Sequence, residues 1–342
     1  MTDGLTPSSA DAPPTRPRRP HRTLIGLAGF GSSVCAGLGV AAHFVGPVST
    51  AVTLLASFTP LFVVLAMVSA VALAATRFWF AALAALAIVA VGVGSQLPLY
   101  VGRNPGASAE TPRIRLLQAN LRLGEADPRA VVDLVRARRV DVLTVAELTG
   151  SAVEKLAAAG IEQLLPFKYL HPRYGGGGEG IYSRYPLTDT AELPGLQHSN
   201  LRATIRVPGA RPVAVYALHP LPPYPEPAWR WAGELETIGA ILAAEEHPLI
   251  VGADFNSTYD HQRYRRLLSS SSRDGVAAVD AAEYLGSGIV ATFPADRWFP
   301  AVLAIDKIVA RGATPLSFDR VDLPGSDHHG VVGDVQLEPA AL

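Results

Sequence analysis

The feature that most constrains this fold is a long, nearly uncharged stretch near the N-terminus. Between Arg22 and Arg103 the sequence contains one charged residue, Arg77. A membrane-spanning helix needs about 20 apolar residues, so this stretch is long enough for three such helices. A buried helical core is the alternative, but a core of this length would hold more charge. The sequence therefore predicts three transmembrane helices over residues 23–101.

Three segments divide this stretch, namely Thr23–Phe44, Val48–Ala75 and Trp79–Val101. Pro60 predicts a kink or a late start in the second segment, because proline removes a helical hydrogen bond. The first segment would also suit a cleaved signal peptide, but the two further segments would still anchor the chain.

Positive charge predicts the orientation of these helices. Residues 1–22 are rich in Pro, Ser and Thr and carry four arginines, so we expect a disordered basic tail. Arginine and lysine concentrate on the cytoplasmic side of membrane proteins, which predicts that this tail and Arg77 face the cytoplasm. Three crossings then leave the C-terminal domain outside the cell, beside the lipid bilayer of the cell membrane.

The chain that follows has the composition of a soluble domain. Residues 103–342 hold all but five of the 29 lysines and arginines and all but two of the 30 acidic residues. This slightly acidic balance argues against a protein that tracks along nucleic acid by charge alone. The single cysteine, Cys35, lies in the apolar stretch, which excludes cysteine chemistry from this domain. We interpret residues 102–112 as a linker and 113–342 as one folded domain.

Strand-like and helix-like patterns alternate along this domain, which predicts an α/β fold. Asp127 followed by proline indicates the start of one helix, Ser151-x-x-Glu154 indicates a capping box for a second, and Glu226–Ala244 is a third. The predicted strands are Arg113–Leu121, Val140–Val145, Gly180–Arg184, Ala203–Val207, Val213–Leu218, the run that begins at Leu249, Val302–Ala310 and Val331–Leu337.

The run Leu249–Asn256, Leu-Ile-Val-Gly-Ala-Asp-Phe-Asn, is typical of a buried strand that ends in a carboxylate and a carboxamide. Alternation puts Asp254 and Asn256 on the same side, where both could face one ligand. An Asx turn that closes the strand is the alternative. Other polar residues follow or interrupt apolar runs in the same way: Asn120, Glu147, His219, Asp306, Asp327 and His328. Carboxylates and carboxamides without cysteine suit a hard cation such as Mg²⁺ or Mn²⁺.

The domain carries seven short motifs in a fixed order: Gln-Ala-Asn, Ala-Glu, Gly-Ile-Tyr-Ser-Arg-Tyr-Pro-Leu, Ala-Leu-His, Gly-Ala-Asp-Phe-Asn, Ala-Ile-Asp-Lys-Ile and Gly-Ser-Asp-His-His. In this order, from about Arg113 to Leu337, they resemble the endonuclease/exonuclease/phosphatase (DNase I-like) superfamily. The anchored architecture is similar to that of membrane-anchored bacterial members. The resemblance implies a four-layer sandwich of two mixed β-sheets flanked by helices, with the active site at one rim.

The resemblance also implies a divalent metal site. Glu147 matches the metal-binding glutamate, Asn120 the asparagine beside it, and Asp327 a further metal-site aspartate. Mg²⁺ or Mn²⁺ is the ion that this set of ligands implies.

The catalytic residues follow from the same resemblance. Asp254 and Asn256 match the pair that orients the attacking water and the phosphate. His328 matches the essential histidine and Asp306 its orienting partner, which agrees with the need of a buried carboxylate for a partner. His219 matches a second histidine that donates to a phosphate oxygen.

Some residues of this domain allow two interpretations. Glu179 either pairs with His219 or lies in a surface loop. A further group of aromatic residues either faces lipid or a lipid-linked substrate, or packs across the edge of the sandwich: Tyr224, Trp229, Trp231, Trp298 and Phe299. No basic helix is evident beside the site, which weakens a DNA-binding interpretation.

The sequence as a whole favours a membrane-anchored, extracytoplasmic, Mg²⁺-dependent phosphoesterase that acts on a phospholipid or a lipid-linked pyrophosphate. A surface nuclease acting on extracellular DNA or RNA is one alternative. A catalytically inactive binding module is another, disfavoured because every expected polar position is filled.

Overall fold

The computed structural model describes residues 20–46, 49–103, 105–106 and 111–340. The predicted disordered tail up to residue 19, and residues 104 and 107–110 of the predicted linker, lie outside the described residues. The described chain forms an N-terminal helical bundle and a C-terminal α/β sandwich.

The bundle contains α1 (Pro20–Phe44), α2 (Thr50–Ser57), α3 (Thr59–Ala75) and α4 (Trp79–Gln96). Two of these helices are long and apolar enough to cross a membrane, over His21–Phe44 and Trp79–Leu99. These two spans agree with the first and third predicted segments.

The second predicted segment is not one straight helix. It divides into α2 and α3, which are bent by 72° at the break, so it adds a third span only if the bent pair counts as one. Pro60 lies in the first turn of α3 and has no N–H to continue the hydrogen bonds of α2. The prediction of three transmembrane helices is thus corrected to two candidate spans and one broken segment, with the break at the predicted proline.

One end of the bundle packs on the sandwich. His43 at the end of α1 and Gln96 at the end of α4 both contact Asp260, at 2.8 and 2.6 Å. The opposite end carries Arg22, whose Nε donates to the carbonyl of Thr76. Arg22 and Arg77, two of the basic residues that set the predicted orientation, therefore lie at the end of the bundle remote from the sandwich.

The sandwich is built from two mixed sheets. Its strands are β1 (Arg113–Asn120), β2 (Val142–Ala146), β3 (Phe167–His171), β4 (Glu179–Ser183), β5 (Leu187–Glu192), β6 (Leu201–Ile205), β7 (Val213–Leu218), β8 (Leu249–Asp254), β9 (Val279–Asp280), β10 (Asp306–Arg311), β11 (Ala313–Pro315), β12 (Asp319–Val321) and β13 (Gly330–Leu337). The first sheet has the order β11-β13-β1-β2-β4-β3, with β12 paired to β13, and the second has the order β5-β6-β7-β8-β10-β9. The β1–β2 and β7–β8 pairs are parallel and the others are antiparallel.

Helices cover both outer faces. They are α5 (Pro128–Arg138), α6 (Gly150–Ala159), α7 (Ile161–Leu164), α8 (Ala228–Ala244) and α9 (Gln262–Ser270). The short helix α10 (Ala281–Leu285) instead packs against the core between the sheets. Leu116 and Ile250 face the core between the sheets, whereas their neighbours Leu117 and Val251 face outward, toward α5–α6 and α8–α9 respectively. This alternation confirms the four-layer sandwich that the motif order implied.

The two sheets approach each other closely where β8 crosses β2. A Cβ atom at Gly252 would lie 2.1 Å from Oγ1 of Thr144 in the opposite sheet, so only glycine fits there. Asp254 lies two residues further along β8 on the same inner face. The close approach therefore brings Asp254 near the end of the first sheet.

Several predicted boundaries need correction. Asp306 is the first residue of β10, which spans Asp306–Arg311, and not a mid-strand residue. The N-cap of α6 is Thr149, which accepts from the N–H of Ala152, so the capping box at Ser151 is wrong. Asp127 caps α5 as predicted. The short strands β3, β5, β9, β11 and β12 and the helix α9 were not predicted.

Candidate active site

The candidate site lies at one rim of the sandwich, where five strands of both sheets end or begin. Asn120 and Asp254 are the last residues of β1 and β8, and His219 follows β7 directly. Glu179 and Asp306 are the first residues of β4 and β10, which run in the opposite direction. Asp306 pairs with Asp254 in register, so the rim positions of the second sheet are adjacent. By the alternation of side chains along each strand, all five residues face the space between the two sheets.

His328 and Asp306 form a buried pair. Nδ1 of His328 lies 2.9 Å from Oδ2 of Asp306. The backbone N–H of His328 donates to Oγ of Ser326, which in turn donates to the carbonyl of Asn120. Phe293 packs on the imidazole with ring centroids 4.8 Å apart. The ring is thus fixed, and its Nε2 faces Asp254 at 3.7 Å.

The charges around His328 favour its protonated form. Burial alone would lower the pKa of His328, but the carboxylates of Asp306 and Asp254 raise that pKa to about 10. Burial raises the pKa of Asp306 above its ordinary value. The pair therefore retains one proton in the absence of a cation, and His328 is the residue that holds it.

A second histidine–carboxylate pair lies on the other side of Asp254. Nδ1 of His219 lies 3.2 Å from Oε1 of Glu179, and both side chains are buried. Burial raises the pKa of Glu179 to about 8. Burial lowers the pKa of His219, but Glu179 and Asp254 outweigh it and hold that pKa at about 9. The pairing interpretation of Glu179 is confirmed, and the surface-loop interpretation is wrong.

Asp254 lies between the two histidines. Its Oδ2 is 3.7 Å from Nε2 of both His219 and His328 and accepts from Nδ2 of Asn120 at 3.1 Å. Its Oδ1 accepts from the backbone N–H of Asn256 at 2.9 Å, so the predicted Asx turn is also present. The left-handed backbone of Asn256, at φ +49°, turns the chain away from the strand.

Glu147 is the carboxylate best placed to hold a cation at this rim. It is half-buried, its Oε1 accepts from Nδ2 of Asn120 at 3.1 Å, and its Oε2 accepts from the N–H of Leu123 at 2.7 Å. Each carboxylate oxygen keeps a further lone pair, and the oxygen donors of Glu147 and Asn120 fit Mg²⁺ or Mn²⁺. Gly176, in the Gly175–Gly178 run before β4, lies close to the carboxylate of Glu147.

A second set of possible ligands is Asp254, Asp306 and His328, whose ligand atoms all lie within 4.8 Å of one another. Two of these residues are already bonded to each other through Nδ1 and Oδ2. Because Nδ1 of His328 is already paired with the carboxylate of Asp306, we favour a role in proton transfer for these three residues. We favour Glu147 as the metal ligand.

The structure connects seven of the eight predicted residues through hydrogen bonds or contacts at the rim: Asn120, Glu147, His219, Asp254, Asn256, Asp306 and His328. The eighth, Asp327, is half-buried, and its charge helps to raise the pKa of His328. Its predicted role as a metal ligand stays a prediction. His329, next to His328 in the sequence, pairs with the exposed Asp322 at 3.0 Å and is peripheral to the site.

Sequence reasoning missed the residues that support this site. Asn200 is buried and its Oδ1 accepts from the backbone N–H of His219. His198 packs on the ring of His219 with centroids 4.7 Å apart. Oγ1 of Thr292 accepts from the backbone N–H of Asp306. Asn200 and His198 lie in a loop before β6 and Thr292 in the long loop before β10, where no periodic pattern marks them.

Comparison with known proteins identifies the family of this chain. The sequence model of the endonuclease/exonuclease/phosphatase family matches residues 117–328. No curated protein matches the chain. Among solved structures, D. rerio TDP2 in complex with a single-stranded DNA product is 17% identical, with a TM-score of 0.53, and the match covers 66% of this chain and 99% of that one.

Two bacterial structures are similar to the same extent. A conserved protein of unknown function from Enterococcus faecalis V583 is 14% identical with a TM-score of 0.53, and the match covers 66% of this chain and 100% of that one. A family protein from Bacteroides vulgatus is 15% identical with a TM-score of 0.52 and the same coverage. At these identities the likeness concerns the fold.

Proposed function

This chain belongs to the endonuclease/exonuclease/phosphatase family, and on that premise we propose that it is a membrane-anchored, extracytoplasmic hydrolase of lipid phosphoesters that depends on a divalent cation. The observation that carries the proposal is the rim constellation, in which Asp254 lies between two histidines that each have a buried carboxylate partner. Superfamily members are typically hydrolases of phosphoester bonds.

The chain's own residues suit this chemistry. Nε2 of His328 presents a proton to the cleft, and Asp306 holds the ring and stabilises its positive charge. Nε2 of His219, on the opposite side of Asp254, is a second donor to a phosphate oxygen. Asp254 is placed to accept the proton of an attacking water. Glu147 would hold a divalent cation, whose charge stabilises the phosphate oxygens and the leaving oxygen.

The arrangement of charge favours an anchored, external catalytic domain. Arg22 and Arg77 lie near the end of the bundle remote from the sandwich, as the bond from Arg22 to Thr76 indicates. If basic residues stay in the cytoplasm, the end that contacts Asp260 faces outward. A C-terminal reporter enzyme that works only outside the cytoplasm should therefore be active in cells, and activity of a cytoplasm-only reporter would contradict this orientation.

Aromatic side chains favour a lipid substrate. Tyr224, Trp229 and Trp298 are exposed by 66%, 70% and 94%, and Phe299 packs edge-to-face on Trp298. Trp231 is different, because it is buried in the core. Tyr224 lies in the loop that follows His219, Trp229 in the first turn of α8, and Trp298 and Phe299 in the loop that precedes Asp306. Exposed tryptophan is typical of surfaces at the membrane interface.

The loop after His219 lies next to both the site and the bundle. The carbonyl of Pro220 accepts from Nδ2 of Asn256 at 3.0 Å. At the end of the loop, the N–H of Ala228, the first residue of α8, donates to Oγ1 of Thr50 at the start of α2. Trp229 is the next residue, so it lies close to α2.

Arginines beside the cleft do not form the free basic surface that a nuclease would use. Arg122 pairs with Asp296 at 3.2 Å, Arg230 pairs with Glu226, and Arg173 pairs with Glu192 at 2.8 Å. Pairing with carboxylates reduces the attraction of these arginines for a phosphate backbone. We therefore favour a lipid phosphoester over DNA or RNA.

The deciding experiment uses the full-length protein with Mg²⁺ beside its His328→Ala variant. Each would be offered plasmid DNA, a phospholipid, a lipid pyrophosphate and a soluble aryl phosphodiester. Release of headgroup or phosphate from the lipids, lost in the variant, supports the proposal. Plasmid nicking that is lost in the variant, without lipid cleavage, would identify a nuclease, and no cleavage of any substrate would favour a binding module.

A further inference from the structure

The segment Ser257–His261 connects the end of β8 to the membrane helices. It begins directly after Asn256, and all five of its side chains are buried. Residues of α1, α2 and α4 contact it through hydrogen bonds. We call it the docking segment.

Asp260 receives contacts from two membrane helices. Its Oδ1 lies 2.8 Å from Nδ1 of His43 in α1 and accepts from Nε2 of Gln96 in α4 at 2.6 Å. All three side chains are buried. Polar contacts in such an environment are strong, and loss of one partner leaves the others unsatisfied.

His261 provides the contact to α2. Its Nδ1 accepts from the backbone N–H of Thr258 at 3.1 Å, which leaves the ring proton on Nε2. Nε2 lies 3.1 Å from both the carbonyl of Thr53 and Oγ of Ser57. His261 therefore stabilises the turn of the docking segment by its bond to Thr258 and links that turn to α2 by its contacts with Thr53 and Ser57.

The docking segment also makes contacts directly beside Asn256, the residue that precedes it. Oγ of Ser257 donates to the carbonyl of Phe255 at 2.8 Å and accepts from Nε1 of Trp231 at 3.2 Å. The ring of Trp231 packs edge-to-face on His261 at 5.0 Å. Asn256 has a left-handed backbone, and the bond of Ser257 to the carbonyl of Phe255 spans this residue and helps to hold its conformation.

We propose that Asp260 and His261 are positioning residues through which the membrane helices set the geometry of Asn256. The bundle is then part of the scaffold of the catalytic site and not only a tether. A shift of α1, α2 or α4 would change the catalytic rate without any contact with substrate. This inference rests on the proposed phosphoesterase function for its kinetic consequence, but the physical link can be measured without it.

The physical link is tested by hydrogen–deuterium exchange on the full-length protein. His43→Phe and Gln96→Leu each remove one donor to Asp260 while keeping the size of the side chain. We expect faster exchange of the backbone amides of residues 255–262 in both variants. Ser69→Ala is the matched control, because Ser69 donates to Ser32 within the bundle, at 2.9 Å. Unchanged exchange over 255–262 in both donor variants would overturn the link, whether or not the protein hydrolyses phosphoesters.

The kinetic consequence is tested with a soluble aryl phosphodiester, which avoids effects on lipid access. Asp260→Ala should lower kcat by about tenfold with little change in KM, as expected for a displaced catalytic group. Asp260→Asn keeps an acceptor oxygen toward His43 and Gln96 and should retain most of kcat. If Asp260 only stabilises the fold, its substitution should lower the thermal midpoint, and Asp260→Ala and Asp260→Asn should not differ in kcat.

A double-mutant cycle with Asn256→Ala tests whether Asp260 acts on catalysis through Asn256. If Asp260 acts through Asn256, Asp260→Ala should cause little further loss of kcat once the asparagine side chain is absent. An equal tenfold loss in both backgrounds would overturn the proposal. If the wild type cleaves none of the offered substrates, the proposed function fails, and the exchange experiment alone decides the link.

Discussion

Nδ1 of His328 lies 2.9 Å from Oδ2 of Asp306, and both side chains are nearly excluded from solvent. The contact fixes the ring so that Nε2 faces Asp254 and the cleft. A carboxylate in this position also stabilises the imidazolium, which is why the pKa of His328 is raised to about 10 against the effect of burial. The pair is the part of the site that most directly handles a proton.

Asp306→Asn should therefore lower kcat by at least about a hundredfold, since a neutral amide can neither stabilise the imidazolium nor select the same tautomer. The rate with the soluble aryl phosphodiester measures this. Asp322→Asn is the matched control, because Asp322 pairs with the adjacent His329 at 3.0 Å but is exposed. Equal rates in the two variants would exclude Asp306 as the functional partner of His328.

Glu147→Gln should weaken cation binding more than it weakens protein stability. The amide keeps the size of the side chain and one acceptor oxygen but loses the charge that a hard cation requires. We expect the Mg²⁺ concentration for half-maximal activity to rise by at least about tenfold. Glu125→Gln, at an exposed neighbour of Arg122, serves as control. An unchanged Mg²⁺ dependence would point instead to the triplet Asp254, Asp306 and His328.

The sequence predicted much of this site because its residues stand at the ends of regular strands. β7 and β8 are continuous apolar runs that are fully buried, so the polar residue that follows or ends each of them, His219 or Asp254, is marked by the sequence as a strand-end residue. The pairing of strands from the two sheets could not be predicted from periodicity, since a period-two pattern does not say which strand lies opposite. The arrangement of the two sheets was instead implied by the family resemblance that the order of the motifs carries.

Long-range contacts explain what the sequence did not predict. Glu179 looked like a loop residue after a glycine-rich run, and only the pairing of β4 with β2 buries it beside His219. His261 has no local pattern, and its partners in α2 lie about 200 positions away. The break between α2 and α3 was predicted at Pro60, but its angle of 72° could not be predicted from the sequence.

The stability of the docking segment should fall in mild acid. Burial lowers the pKa of His261 to about 4, with Arg265 adding to the effect and the Thr53 carbonyl and Asp260 opposing it. Because the folded pKa is below the unfolded one, the unfolded chain binds the proton first. Stability is therefore fully present above about pH 6.5 and is lost as the pH falls toward 4, by up to about 3 kcal/mol.

Thermal midpoints of the wild type and His261→Phe between pH 7 and 4 measure this contribution. His198, whose pKa burial also lowers to about 4, is present in both proteins, so its effect cancels in the difference. The wild type should lose more of its midpoint than the variant over this range. Parallel curves would mean that His261 is not buried in its neutral form.

The exposed aromatics should matter for lipid substrates only. Trp229 and Trp298 contribute little to the core, so replacing both with Ala should leave the thermal midpoint nearly unchanged. Loss of two interfacial tryptophans should raise KM for phospholipid or lipid pyrophosphate in vesicles by about tenfold or more, since each such side chain buries substantial apolar area. The value of kcat/KM for the soluble aryl phosphodiester should stay the same.

Phe167→Ala supplies the control for this comparison, because Phe167 is a partly exposed aromatic at the start of β3, at the end of that strand remote from Glu179. Its removal should affect neither substrate. If the double tryptophan variant cleaves vesicle lipid as well as the wild type does, the cleft mouth does not face the bilayer, and the argument for a lipid phosphoester loses its main support. If both substrates are affected alike, the tryptophans position the catalytic loops and do not contact the membrane.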